Sequence, residues 1–241
     1  MEQFDYTKIS VGYYDKVYQR QGGVQSRWHH QKFEFLRRYL PKTGKLLDIG
    51  CGPGTFIGTL SNTGIDCTGI DIAPDQIDYA TNNYGHNKAR FISISLDTFA
   101  EISSERFDVI TFVEVLEHLP EDVAVNMLKR ARSLLLPGGR ILVTTPNYHS
   151  AWPFVEFLVN RIGEVRYEDQ HINRYDAKKL GSHLKESGYD AGNMNSFMSF
   201  SPFIAALSWQ LSRFVSRNDL YSGRFRFIGM LLIGIANPVQ D

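Results

Sequence analysis

Two cysteines in 241 residues are too few for a disulfide framework, and Cys51 and Cys67 lack metal-ligand spacing. They are expected to be buried free thiols in a reducing compartment. An excess of either charge is missing too: 26 Lys and Arg balance 26 Asp and Glu, so the basic footprint that nucleic acid demands is absent. No apolar run reaches the ~18 residues of a spanning helix, and the polar N-terminus has no signal-peptide pattern. The expected location is therefore cytoplasmic. Repeats, low-complexity tracts and long linkers are lacking as well, and the length suits one α/β domain with a sizeable core.

Glycine is present where it is most informative. The stretch from Leu46 to Phe56 reads Leu-Leu-Asp-Ile-Gly-Cys-Gly-Pro-Gly-Thr-Phe. An apolar run ends at Asp48, and Gly50, Gly52 and Gly54 follow at every second position, a pattern that suits a buried strand turning sharply into a helix. Without Cβ atoms the backbone can take positive φ, and a ligand can lie directly on it. Such a loop sits at the C-terminal edge of a parallel sheet, where doubly wound folds bind ligands. A dinucleotide fingerprint would place the third glycine one residue later, beside a pyrophosphate.

Along the chain, strands are expected at 45–49, 67–72, 90–94, 107–112 and 140–145, with helices between them, including 55–62 and 121–136. The alternation predicts a parallel sheet with right-handed crossovers. Residues 1–44 read as an N-terminal helical cap, with an amphipathic helix from Gln25 to Leu40 that Pro41 ends. Tyr13, Tyr14 and Trp28 either pack on the sheet edge or wall the site. Beyond Asn147 come an amphipathic segment (153–162), a polar cluster from Glu168 to Tyr175, and a helix that Asp176 caps and Gly188 stops. A sixth strand is expected within 189–198 and a seventh over 228–236, with an apolar helix at 202–216 inserted between them. The two apolar segments form either a lid or an interfacial surface, with the arginines after the second facing anionic headgroups.

Asp48 and the glycines together, Asp-x-Gly-x-Gly-x-Gly, resemble motif I of the class I S-adenosylmethionine-dependent methyltransferases. The block Phe107-Asp108-Val109-Ile110 running on to Glu117-His118-Leu119-Pro120, and the run Leu134 to Asn147, are similar to the same family, so the likeness covers residues 45–147 in order. It implies a Rossmann-like, doubly wound seven-stranded α/β sheet in the order 3-2-1-4-5-7-6 with the last strand antiparallel. Asp48, Gly50, Cys51, Gly52 and Gly54 would hold the amino-acid end of S-adenosylmethionine, and Asp71, with Ile72 beside it, the ribose. The family usually has an acid after strand three for adenine; here Ser95 and Leu96 stand there. Glu114 would lie beside the transferable methyl group.

The implied reaction is in-line methyl transfer, in the O-methyltransferase sense, to a small or lipid-linked acceptor, leaving S-adenosylhomocysteine. His118, His149 and His171 are candidate bases, with His171 favoured, then His118. Glu114, Glu117, His118 and His171 also resemble the divalent-cation set of ubiquinone-biosynthesis O-methyltransferases and of small-RNA 2′-O-methyltransferases. The leading expectation has no metal. The competing readings are a non-catalytic S-adenosylmethionine-binding or membrane-docking module, and an RNA 2′-O-methyltransferase, which the charge balance disfavours.

Overall fold

Central strands that feed helices on both sides must be apolar on both faces, and Leu46-Leu47 and Val109-Ile110 are such pairs. In the computed structural model, which describes residues 10–162, 170–190, 192–219 and 229–239, seven strands form one sheet in the order β3-β2-β1-β4-β5-β7-β6. β1 (Thr43–Ile49) is central and lies parallel to β2 (Gly64–Asp71) and β4 (Phe107–Val113). β3 (Ala89–Ser93) and β5 (Leu135–Pro146) extend the parallel set. β7 (Leu231–Ala236) runs antiparallel to β5 and to the edge strand β6 (Asn193–Phe197). The implied order and the reversed last strand are both found.

Two core layers follow from the alternation. Leu47, Ile49, Ile110, Phe112, Ile141 and Val143 face α5 (Leu96–Ile102), α6 (Glu121–Arg132) and α8 (Ala177–Glu186). Leu46, Val109, Leu142 and Ile233 face α2 (Gly23–Leu36) and α3 (Thr55–Gly58). Burying each such side chain contributes about 1.5–3 kcal/mol. α1 (Tyr13–Gln19) and α4 (Pro74–Tyr84) flank the β2 side, joined where Tyr79 and Tyr84 donate to the Asp15 carboxylate.

Several boundaries differ from the sequence expectation. The helix expected over 55–62 is a single turn, because Thr59 and Thr63 bond back to the carbonyls of Phe56 and Leu60, both at 2.7 Å. The helix expected to reach 136 stops at Arg132, since Leu135 pairs with Phe107. β5 therefore starts before Pro137-Gly138-Gly139, where the register with β4 shifts. α2 begins at Gly23, and a 3-10 turn, Arg37–Tyr39, follows it before Pro41 forces Leu40 to be extended.

The apolar insertion between β6 and β7 is two helices, α9 (Ser201–Ile204) and α10 (Trp209–Asp219). Ser208 caps the second, its Oγ accepting from the Leu211 amide at 3.2 Å. α7 (Trp152–Ile162) matches the earlier amphipathic segment. Asp176 caps α8 as expected, accepting from the Lys179 amide at 2.8 Å. Glu168, Asp169, Arg224, Arg226 and Ile228 lie outside the described residues, as do the side chains of Leu158 and Ile162. Among the described residues no helix is long and apolar enough to cross a membrane.

Candidate active site

β1 ends at Ile49, and the chain turns into α3 through Gly50, Gly52 and Gly54, all left-handed at φ 71°, 50° and 75°. A Cβ at Gly50 would lie 2.7 Å from Val115 Cγ2, and one at Gly54 would lie 2.8 Å from Ala80 Cβ. Those two positions need glycine in order to pack. A Cβ at Gly52 would meet nothing within 4 Å, so bare backbone there faces open space, the room a ligand lying on the loop requires. The Gly50 and Cys51 amides donate to Ile70 O at 2.9 and 3.1 Å, which ties the loop to β2. Burial, then the charges of Asp48 and Asp71, push the Cys51 thiol well above its ordinary value, so it packs rather than reacts.

Asp71 stands at the tip of β2. Its Oδ2 accepts from the Gly52 amide at 2.8 Å and its Oδ1 from the Ala73 amide at 2.9 Å. Burial raises its pKa and these hydrogen bonds pull it back. Each oxygen keeps a second lone pair for a hydroxyl. The N-cap of α4 is Ala73, with Pro74 in the first turn. Ile72, next along, is an exposed apolar side chain. Asp48 is buried, with Thr111 Oγ1 donating to it at 2.6 Å. Burial pushes its pKa up to about 7, and Asp71 adds to the shift. A cationic ligand beside it would restore the ionised form. The Ser95 hydroxyl caps α5 by accepting from the Thr98 amide at 3.2 Å, and Leu96 is in the core. What these two can offer a base is chiefly their backbone.

The loop after β4 carries the remaining chemistry. Glu114 is a non-glycine residue at φ 56°, a conformation that costs on the order of 1 kcal/mol or more. Its carboxylate is ion-paired with the buried Lys32 of α2. Glu117 and His118 lie on a 3-10 turn, Leu116–His118. Glu117 is 0% exposed, and among the described residues no donor reaches either carboxylate oxygen in good hydrogen-bond geometry, the Thr145 hydroxyl and its own backbone giving only weak support to the ionised form. Burial, and then the Glu114 charge, hold its pKa well above the usual carboxylate range. His118 Nδ1 donates to Gln170 O at 3.0 Å. Burial, then neighbouring His171, lower its pKa to about 4, so near neutrality Nε2 is an acceptor nitrogen.

His171 is buried, and two partners meet its Nδ1. Its Nδ1 is 2.6 Å from Glu156 Oε1 and 2.9 Å from the Tyr148 hydroxyl, which donates to the same carboxylate oxygen at 2.7 Å. Burial alone would raise the Glu156 pKa, but the hydrogen bonds from His171 and Tyr148 bring it below its ordinary value. With Nδ1 donating to a carboxylate, Nε2 carries the lone pair. One ligand atom from each of Glu117, His118 and His171 lies within 4.8 Å of the other two. A buried carboxylate that no described donor satisfies in good geometry, beside two imidazoles, fits a divalent cation. Of the four residues grouped from sequence, Glu114 is the one outside this cluster. His149 is exposed on a turn, its amide donating to Asn147 Oδ1 at 3.1 Å.

The N-terminal cap reaches this site through Trp28, whose ring centre lies 5.2 Å from that of Trp152, and Trp152 is 6.2 Å from His171. Tyr14 and Tyr13 stand one step further back, Tyr14 5.6 Å from His29. Sequence reasoning missed Lys32, Tyr148, Trp152 and Glu156. Two signals were available: Lys32 falls among the buried positions of α2, and Glu156 is the one acid of α7.

A family model described as a methyltransferase domain matches residues 19–191. The ubiquinone biosynthesis O-methyltransferase of Psychrobacter arcticus is 32% identical over 152 residues, which cover 61% of this chain and 58% of that protein. That of Hydrogenovibrio crunogenus is 30% identical over 119 residues, 48% of each. The chain thus spans about half the length of the curated relatives it matches. A SAM-dependent methyltransferase from Archaeoglobus fulgidus shares the fold at TM-score 0.64 and 19% identity, with 96% of this chain and 99% of that one covered. The DhpI–SAH complex does so at 0.59 and 16%, covering 90% and 86%. The family match runs through the whole parallel half of the sheet and on past α8, and the chain therefore belongs to the S-adenosylmethionine-dependent methyltransferases.

Proposed function

We propose that the chain methylates a hydroxyl oxygen of a small, flat acceptor held between the glycine loop and His171. The observation that carries this reading is the fixed imidazole of His171, braced by Glu156 and Tyr148. Bound S-adenosylmethionine would supply an electrophilic methyl group. The residues of the chain supply grip and alignment, which is the main demand of an in-line displacement. The Gly52 backbone bears the amino-acid end, Asp48 opposes its positive charge, and Asp71 accepts from the ribose hydroxyls. Ile72 and the backbone at Ser95 and Leu96 flank the adenine. Trp28 and Trp152 offer aromatic faces to a flat acceptor.

His171 Nε2 receives the acceptor proton, and the Glu156 carboxylate stabilises the imidazolium that results. His118, held neutral, lies beside it as a second acceptor nitrogen. Oxygen is the acceptor atom preferred because the curated relatives are O-methyltransferases. Exposed Phe154 and Phe157 on α7 support an acceptor with an apolar tail. A second reading rests on the Glu117 carboxylate, which no described donor satisfies in good geometry. Glu117, His118 and His171 would hold a divalent cation, which would acidify a hydroxyl lying on it. His171 is then a ligand, and the two roles exclude each other.

The test is S-adenosylhomocysteine release with a panel of phenolic acceptors. His171→Ala is expected to lower turnover by about 10²–10⁴, with affinity for S-adenosylhomocysteine unchanged. Undiminished turnover removes His171 from the mechanism. Loss of activity in EDTA and recovery in Mg²⁺ selects the cation role over the base. Affinity without release on any acceptor would mark a non-catalytic module.

A further inference from the structure

A cavity of about 560 Å³ opens at the edge of the sheet opposite the glycine loop, where Pro41 leads into β1 and Thr63 and Ile65 open β2. Its walls carry five guanidinium groups, those of Arg27, Arg37, Arg38, Arg213 and Arg217, against one carboxylate, Glu34. Arg27 is its buried floor, 1% exposed. Its terminal nitrogens lie 3.3 Å from the two Glu34 oxygens, one of them also donates to Ser216 Oγ at 2.5 Å, and its Nε has no hydrogen-bond partner among the described residues. Arg37, Arg38, Arg213 and Arg217 are exposed around the mouth. So many cations around one acid repel one another unless an anion joins them. Guanidinium forks match phosphate oxygens in pairs.

The helices beside the mouth are packed the opposite way round from an ordinary amphipathic helix. α9 and α10 turn serines inward: Ser201 Oγ donates to Gln31 Oε1 at 2.6 Å and Ser212 Oγ to Ser201 O at 2.5 Å. Phe203 of α9, Leu207 in the turn between the two helices, and Leu211 and Phe214 of α10 are exposed, Leu207 at 90%, while Trp209 packs inward against His30 and Arg27. Arg213 and Arg217 stand on the same helix as this stripe, which joins a cationic cavity to an apolar surface.

We propose that the arginine-lined cavity binds a phosphate group, that of an anionic phospholipid headgroup, with the outward stripe of α9 and α10 set against the acyl region. The site is separate from the methyl-transfer cleft, and the proposal does not rest on the acceptor reading. The full chain is tested by co-flotation with vesicles of phosphatidylcholine alone and with added phosphatidylglycerol. Binding is expected only with phosphatidylglycerol. Each basic residue near an anionic surface is worth about fivefold, so R213Q/R217Q should weaken partition by roughly 30-fold. L207S/F214S should weaken it too, and both pairs should keep the parent's affinity for S-adenosylhomocysteine.

Titration with glycerol 3-phosphate separates the sources. Saturable binding that R213Q/R217Q abolishes, without vesicle binding, overturns the headgroup as the source while upholding the phosphate site. Binding of neither probe, or vesicle binding unchanged in R213Q/R217Q and in a second pair, R37Q/R38Q, overturns the proposal. So does tighter binding to an RNA oligonucleotide than to anionic vesicles.

Discussion

Alanine at Gly52 and alanine at Gly50 should damage different properties. Both positions are left-handed, at φ 50° and 71°, a conformation that costs an alanine about 1–2 kcal/mol. The surroundings then separate them. The new methyl at Gly52 meets nothing within 4 Å, so G52A loses only that backbone term. The methyl at Gly50 falls 2.7 Å from Val115 Cγ2, and overpacking adds about 1–3 kcal/mol, for a total of roughly 2–5. In the bound state the order reverses. On the proposed reading the methyl at Gly52 occupies the face that bears the cofactor, and a comparable clash should weaken S-adenosylhomocysteine binding about ten- to hundredfold. Urea unfolding and calorimetry on both variants provide the check. G52A binding S-adenosylhomocysteine as tightly as the parent would place the cofactor elsewhere and refute the argument.

Three further outcomes are expected. Glu117→Gln removes a buried carboxylate that no described donor satisfies in good geometry, so without metal it should leave stability equal or higher; saturating Mg²⁺ or Mn²⁺, worth about 2.7 kcal/mol at a hundred times Kd, should raise the parent's Tm and not that of E117Q. Absence of any cation-dependent rise in the parent would dismiss the site. Asp48 holds its proton from 3.8 up to about 7 in the folded state, so the folded chain binds the extra proton and stability falls as pH rises through that window. D48N should therefore gain on the parent by up to about 4 kcal/mol between pH 4 and pH 8 in unfolding titrations, and a flat difference would be contrary to it. Glu156→Gln should lower kcat by about 10–100-fold with Tm and affinity for S-adenosylhomocysteine little changed, whereas a purely structural role would lower kcat and Tm together.

The parallel sheet was legible because most of its strands are short apolar runs next to a glycine, proline or acidic punctuation, whereas the strand order came from the family resemblance alone. Asp71 and the glycines were legible for the same reason: backbone geometry demands those residue types locally. The buried cluster was half legible. Glu117 and His118 are neighbours in sequence, but their meeting with His171 depends on the Gln170 carbonyl reaching His118. The brace on His171 comes from Tyr148 and Glu156, which periodicity presents as a loop residue and a polar interruption of an apolar helix. Helix ends failed where side chains compete with the ladder, at Thr59 and Ser208, or where a strand partner claims the residue, as Phe107 claims Leu135. For the 202–216 segment the sequence left lid and interfacial surface both open, since an apolar period shows that a helix has two faces and not which one the fold covers.

The Lys32 to Glu114 pair joins residues 82 positions apart, one in the N-terminal cap and one in the strained loop after β4. Neither end is a free module. A chimaera that imports the cap of a relative without its loop leaves an ammonium interred with no counter-ion, and the reverse graft leaves a contorted glutamate with nothing to hold it. Exchange of acceptor preference by swapping the first forty residues should succeed only when both halves of the pair travel together.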